Sequence, residues 1–70
     1  MNISELKAEM ARKNISIPKL ADLIGINKKT LYSRFSGTTV FNQAEIAAIA
    51  KELNLSDEDI LNIFFAEKVS

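Results

Sequence analysis

The chain has no cysteine and no histidine, and only one proline and two glycines among its 70 residues. Without a thiol or an imidazole, the usual zinc, haem and thiol sites lack their ligands, and no Ser-His or Cys-His nucleophile can be assembled. No catalytic role is expected, and with it no metal, no cofactor and no small-molecule substrate. Long apolar runs are missing too. The longest, Ile46-Ala47-Ala48-Ile49-Ala50, is far short of the roughly 20 residues that a membrane-spanning helix needs. No membrane partner is expected. The opening stretch MNISELKAEM carries charge every few positions and holds no apolar core of a secretory signal, so the chain reads as cytoplasmic, a compartment that the lack of cysteine fits.

What is present is a 47% apolar fraction, enough for the core of one small domain over residues 1–70. A chain this short buries a small share of its surface, so a marginal monomer or a dimer is expected. The formal net charge is zero, which by itself argues against a polyanionic partner. The distribution argues the other way. Residues 1 to 35 hold Lys7, Arg12, Lys13, Lys19, Lys28, Lys29 and Arg34 against Glu5, Glu9 and Asp22, a net of +4; the second half carries −4. Folded, such a chain has a basic end able to meet nucleic acid and an acidic end turned away from it.

Helix signals recur throughout, and no stretch alternates apolar and polar residues as a half-buried strand does, so the fold class is all-α with five helices. Asn2 with Glu5 three positions on predicts a capping box, with Leu6 and Met10 forming one apolar stripe up to about Lys13. Asn14 stops this helix. Ser16 caps a second, Ile17 to Ile24, whose first turn tolerates Pro18. Gly25 ends it, and Asn27 caps a third helix from Lys28 to Phe35 or Ser36. Gly37 to Phe41 form a loop. Asn42 and Glu45 have capping-box spacing at the start of a fourth helix, which Asn54 stops. Ser56 caps a fifth, with Asp57, Glu58 and Asp59 where the helix dipole favours acids, and with Ile60 and Phe64 facing the core.

The informative segment is Ile17 to Gly37, IPKLADLIGINKKTLYSRFSG. Two helices joined by so short a turn pack at a steep angle, which needs a small residue at the close approach and Gly in the turn. Ala21 and Gly25 meet both needs, while Leu20, Ile24, Ile26 and Leu31 supply apolar contacts. This segment resembles the helix-turn-helix of the phage repressor and Cro family, in which apolar, Ala, apolar, Gly, apolar and apolar residues recur at these relative positions. The family also has one helix before the motif and two after it, so the resemblance covers nearly the whole chain. It implies a lambda-repressor-like DNA-binding domain with the helix-turn-helix on helices two and three. The short chain and its Ile63-Phe64-Phe65 ending look like small phage-encoded regulators.

Some positions depart from the family pattern. Arg34 stands where the family has an apolar residue, and is expected to point outward or to snorkel from the core edge. Phe35 stands where the family has an acid paired with a first-helix Arg, whose place here is taken by Met10. A Met–Phe contact in exchange for that ion pair avoids desolvating two charges. Ile17 replaces a polar residue that helps hold phosphate, and offers only its backbone N–H.

The resemblance implies a double-stranded DNA operator as partner, read by the third helix in the major groove. The expected base-contacting residues are Lys28, Lys29, Tyr32 and Ser33. Two lysines at a helix N-terminus oppose its dipole, so stability does not explain them, whereas a polyanion does. Positions matching phosphate contacts in the family are Ile17, Asn27, Ser36, Thr38 and Thr39; Lys13 and Lys19 read as solvated surface charges. A homodimer would read two half-sites about one helical turn, roughly 34 Å, apart. Its expected interface is Val40, Phe41, Leu61 and Phe65. The functional expectation is a sequence-specific transcriptional regulator of Cro or repressor type. The alternative is a protein-interaction module or antitoxin-type protein whose last helix binds a heterologous partner. An enzyme is not supported, because Asp57, Glu58 and Asp59 are accounted for as a helix N-terminus and no nucleophile-base pair is visible.

Overall fold

The computed structural model describes residues 1–65, so Glu67 and Lys68 of the charge balance lie outside the described residues. Within them the chain forms α1 (Ile3–Arg12), α2 (Ile17–Ile24), α3 (Lys28–Ser36), α4 (Gln43–Glu52) and α5 (Asp57–Ile60). The last runs directly into a π-helical segment, Leu61–Phe65.

Each start is fixed by a short polar side chain that accepts an otherwise orphan backbone N–H. Asn2 accepts from Glu5, Ser16 from Lys19 and Asn27 from Lys29. Asn42 with Glu45 and Ser56 with Asp59 form complete capping boxes. The expected box at Asn2 is only half made. Glu5 turns its carboxylate to Arg12 instead, 3.2 Å away, and the Asn2 N–H donates to the Ile63 carbonyl at 2.6 Å. That bond ties the start of α1 to the π-helical segment. Four stops are left-handed: Asn14 (φ 56°), Gly25 (φ 75°), Gly37 (φ 85°) and Asn54 (φ 53°).

Gly25 isolates the backbone contribution to the turn, because a Cβ built there meets no atom within 4 Å. Gly25→Ala is therefore expected to cost only the left-handed penalty of an L-residue, about 1–2 kcal/mol, visible as a lower urea midpoint with an unchanged m-value.

The core is a single cluster of Leu6, Met10, Leu20, Ala21, Leu31, Phe35, Phe41, Ile49, Leu53, Ile63 and Phe64. Helix α2 packs on both α3 and α4, and α1 packs on the π-helical segment. Ala21, the small residue expected at the close approach of α2 and α3, is buried on α2, which packs on α3. Met10 and Phe35 are both core residues, so apolar side chains fill the place of the family's ion pair.

Two expectations are corrected here. Phe41, expected at a dimer interface, is buried: its ring stacks edge-on between Phe35 (6.0 Å) and Phe64 (5.7 Å), joining α3 to the π-helical segment. The apolar loop residue is drawn in because its ring makes favourable edge-on contacts with both of these aromatic rings at once. The fifth helix does not stay regular. Its final residues widen into a π-turn that buries Ile63 and Phe64, with Ile60 only partly buried against the core.

Candidate nucleic-acid interface

Helix α3 presents two distinct surfaces. Leu31 and Phe35 face the core, while Lys28, Lys29, Tyr32 and Ser33 fall within an arc of about 140° at 3.6 residues per turn. Lys28, Lys29 and Tyr32 are exposed and Ser33 is half-buried. Tyr32 keeps 50% of its surface in solvent, an unusual position for an aromatic residue in a chain with so few of them. Asn27 anchors the helix start: its Oδ1 accepts the Lys29 N–H at 2.8 Å, which leaves the amide NH₂ as an outward donor.

Charge pairing sorts the basic half of the chain. Arg12 pairs with Glu5 and Glu9, and Lys13 with Glu9, so Lys13 is committed to α1. Hydrogen bonds from Arg12, and then from Lys13, hold the Glu9 carboxyl below the usual carboxylate range. Among the described residues Lys7, Lys19, Lys28 and Lys29 make no such pair. The unneutralised charge thus includes the first turns of α2 and α3, the two helices of the motif.

Of the five expected phosphate positions, one opens α2 and the other four lie at the two ends of α3 and in the loop that follows it. Ile17 is half-buried and opens α2, where the first N–H has no intrahelical acceptor. Asn27 is the cap of α3, and Ser36, Thr38 and Thr39 are exposed at its far end and in the loop that follows. Gly37 and Thr38 send their backbone N–H groups back to carbonyls of the last α3 turn.

Arg34 does not point outward. It lies across to α4, donating from Nε to Glu45 Oε1 at 2.8 Å and from Nη2 to Oε2 at 2.9 Å, a forked pair that is largely shielded from water. Its Nη1 donates to Thr39 Oγ1 at 2.6 Å. Glu45 also accepts the Asn42 N–H, which makes one carboxylate both helix cap and partner of α3. Arg34, and then the Asn42 N–H, hold the Glu45 carboxyl below its usual range against the opposing effect of burial. The pair in turn raises the Arg34 guanidinium. Arg34 and Glu45 are 11 positions apart, so no local spacing announces their pairing. The one sequence signal was the pair of opposite charges flanking the Gly37 loop. Of the four expected interface residues, Val40, Leu61 and Phe65 are exposed at 84%, 59% and 59%, and only Phe41 is withdrawn.

A family model described as the Cro/C1-type HTH DNA-binding domain matches residues 5–65, nearly the whole chain. The chain belongs to that family, whose members are non-enzymatic DNA-binding transcriptional regulators. Its helix-turn-helix is α2, the turn at Gly25, Ile26 and Asn27, and α3. No curated protein and no solved structure matches the chain. No helix among the described residues is long and apolar enough to cross a membrane.

Proposed function

We propose that this protein is a sequence-specific regulator of the phage repressor or Cro type, which occupies a double-stranded operator as a homodimer and excludes polymerase sterically. Helix α3 enters the major groove. Lys28, Lys29, Tyr32 and Ser33 meet base edges, and Ile17, Asn27 and a hydroxyl of the loop that carries Ser36, Thr38 and Thr39 hold the flanking phosphates. The observation that carries this reading is the pair of exposed, unpaired lysines in the first turn of α3, where they oppose the helix dipole and only an anion offsets their cost. Lysine donates to guanine O6 and N7, so a half-site containing G is expected.

Val40, Leu61 and Phe65 supply the surface for a second copy. Because Leu61 and Phe65 are exposed, the double variant Leu61→Lys/Phe65→Lys is expected to fold as the wild type does, yet to sediment as a monomer. Its operator affinity is expected to fall with the loss of the second half-site. The regulator reading is tested by fluorescence anisotropy against a pool of random duplexes at two salt concentrations, followed by sequencing of the bound fraction. Binding that weakens with salt and enriches a two-fold-symmetric sequence supports it. A wild-type chain that binds no duplex at low salt overturns it and directs the apolar surface to a heterologous protein.

A further inference from the structure

The loop after α3 carries three exposed hydroxyls, Ser36, Thr38 and Thr39, but their protons are not equally free. A hydroxyl has one hydrogen to donate and two lone pairs to accept. Ser36 Oγ lies 3.0 Å from the Ser33 carbonyl, which can only accept, so the Ser36 proton is spent inside the helix end. Ser36 Oγ is also 3.0 Å from Thr38 Oγ1, and having no second proton it must accept there. The Thr38 proton is spent on Ser36. Thr39 is different: its oxygen accepts from the Arg34 guanidinium at 2.6 Å, which fills a lone pair and leaves the O–H to donate outward. A cationic donor on that oxygen also polarises the O–H, strengthening it toward an anionic acceptor. The backbone is little help to an anion here, since the N–H groups of Gly37 and Thr38 are turned back to α3.

We propose that Thr39 is the hydroxyl by which this loop donates to a DNA phosphate, and that Arg34, held in place by the Glu45 fork, is its positioning residue and not itself a phosphate contact. The inference rests on the DNA-binding reading above and narrows it, reducing three candidate hydroxyls to one and giving Arg34 a role. Glu45 is essential to the arrangement because it occupies the Nε/Nη2 edge of the guanidinium, which would otherwise be free to take a phosphate in the same forked geometry, while Nη1 is turned to Thr39.

The test is anisotropy with a labelled random-sequence duplex across a salt series, on full-length Thr39→Val, Thr39→Ser, Thr38→Val, Ser36→Ala, Arg34→Lys and the double variant Arg34→Lys/Thr39→Val. Urea midpoints are measured on each. Thr39→Val is expected to bind about ten-fold more weakly, the loss of one charge-assisted hydrogen bond. Thr39→Ser, which keeps the hydroxyl, stays near wild type, as do Thr38→Val and Ser36→Ala. Arg34→Lys cannot span Glu45 and Thr39 together and loses a similar factor, while the double variant loses no more than either single one. Because neither residue neutralises a phosphate, the slope of log affinity against log salt stays at the wild-type value in all of them. Full affinity in Thr39→Val overturns the proposal, as does a loss that falls on Thr38→Val or Ser36→Ala instead. A shallower salt slope in the charge-removing variant Arg34→Gln, measured beside Arg34→Lys, overturns the positioning role, since it means that Arg34 had met the phosphate directly. A wild type that binds no duplex overturns the DNA reading and this inference together, an outcome distinct from any of these.

Discussion

Replacing Lys28 and Lys29 together with alanine is expected to weaken duplex binding by about a hundred-fold while leaving the domain as stable as the wild type or slightly more so. The two effects have opposite signs because one feature causes both. At the first turn of α3 each lysine faces the positive end of the helix dipole, an arrangement that costs roughly 0.3 to 1 kcal/mol per residue in the free protein. No carboxylate among the described residues offsets it. Removing the charges relieves that cost, so the urea midpoint holds or rises. In the complex the same charges displace counterions, and the salt slope is expected to fall by about 0.9 for each lysine that meets phosphate. A fall in affinity with no change in slope would place the two side chains on base edges only. Unchanged affinity would mean that α3 is not the reading helix.

The contrast between what local chemistry announces and what only the packed chain reveals is clear along this molecule. Helix starts were legible because Ser16, Asn27, Asn42 and Ser56 are short polar residues that satisfy N–H groups within three positions of themselves. The stops at Asn14, Gly25 and Asn54 were legible for the same reason, since few residues tolerate a positive φ. The exposed arc of α3 followed from helix periodicity alone. Phe41 was misplaced because its burial depends on ring contacts with both Phe35 and Phe64, residues far from each other in sequence. The Asn2–Glu5 box failed for a similar reason: Arg12, two turns on, competes for the Glu5 carboxylate, and the Ile63 carbonyl takes the Asn2 N–H.

Arg34 is the most instructive of these cases. A cation in place of an apolar residue, near the end of α3, invites a role as a phosphate contact. The structure gives the charge an internal partner in Glu45, so its net field at the interface is nearly cancelled and what remains is geometry: α3, the Gly37 loop and the start of α4 joined through one guanidinium. Among the described residues the lysines without an ion-pair partner are Lys7 on α1, Lys19 in the first turn of α2, Lys28 and Lys29 at the start of α3 and Lys51 on α4, and steering toward a polyanion is left to those of the basic half. A chain of zero formal charge can work in this way because acids neutralise the cations that fix the fold and leave the others bare.

Leu20→Ala is expected to produce the reverse signature, a large loss of stability with DNA affinity reduced only as far as the folded fraction falls. Leu20 is fully buried on α2, the helix that packs on both α3 and α4, so truncation opens a cavity where three helices depend on one side chain. Deletions of this kind cost about 2–5 kcal/mol, and the cost is at the upper end where the surroundings cannot collapse. A 70-residue domain has roughly 4–10 kcal/mol in total, so half or more of the stability is at stake. Urea titration is expected to show the midpoint falling steeply with the m-value retained, and saturating duplex should restore part of it by mass action, since only the folded chain binds. Leu20→Met, which nearly conserves volume, should cost less than about 1.5 kcal/mol and serves as the control. If Leu20→Ala instead left the midpoint in place while abolishing binding, Leu20 would not be the pillar between α3 and the rest of the domain that its burial makes it.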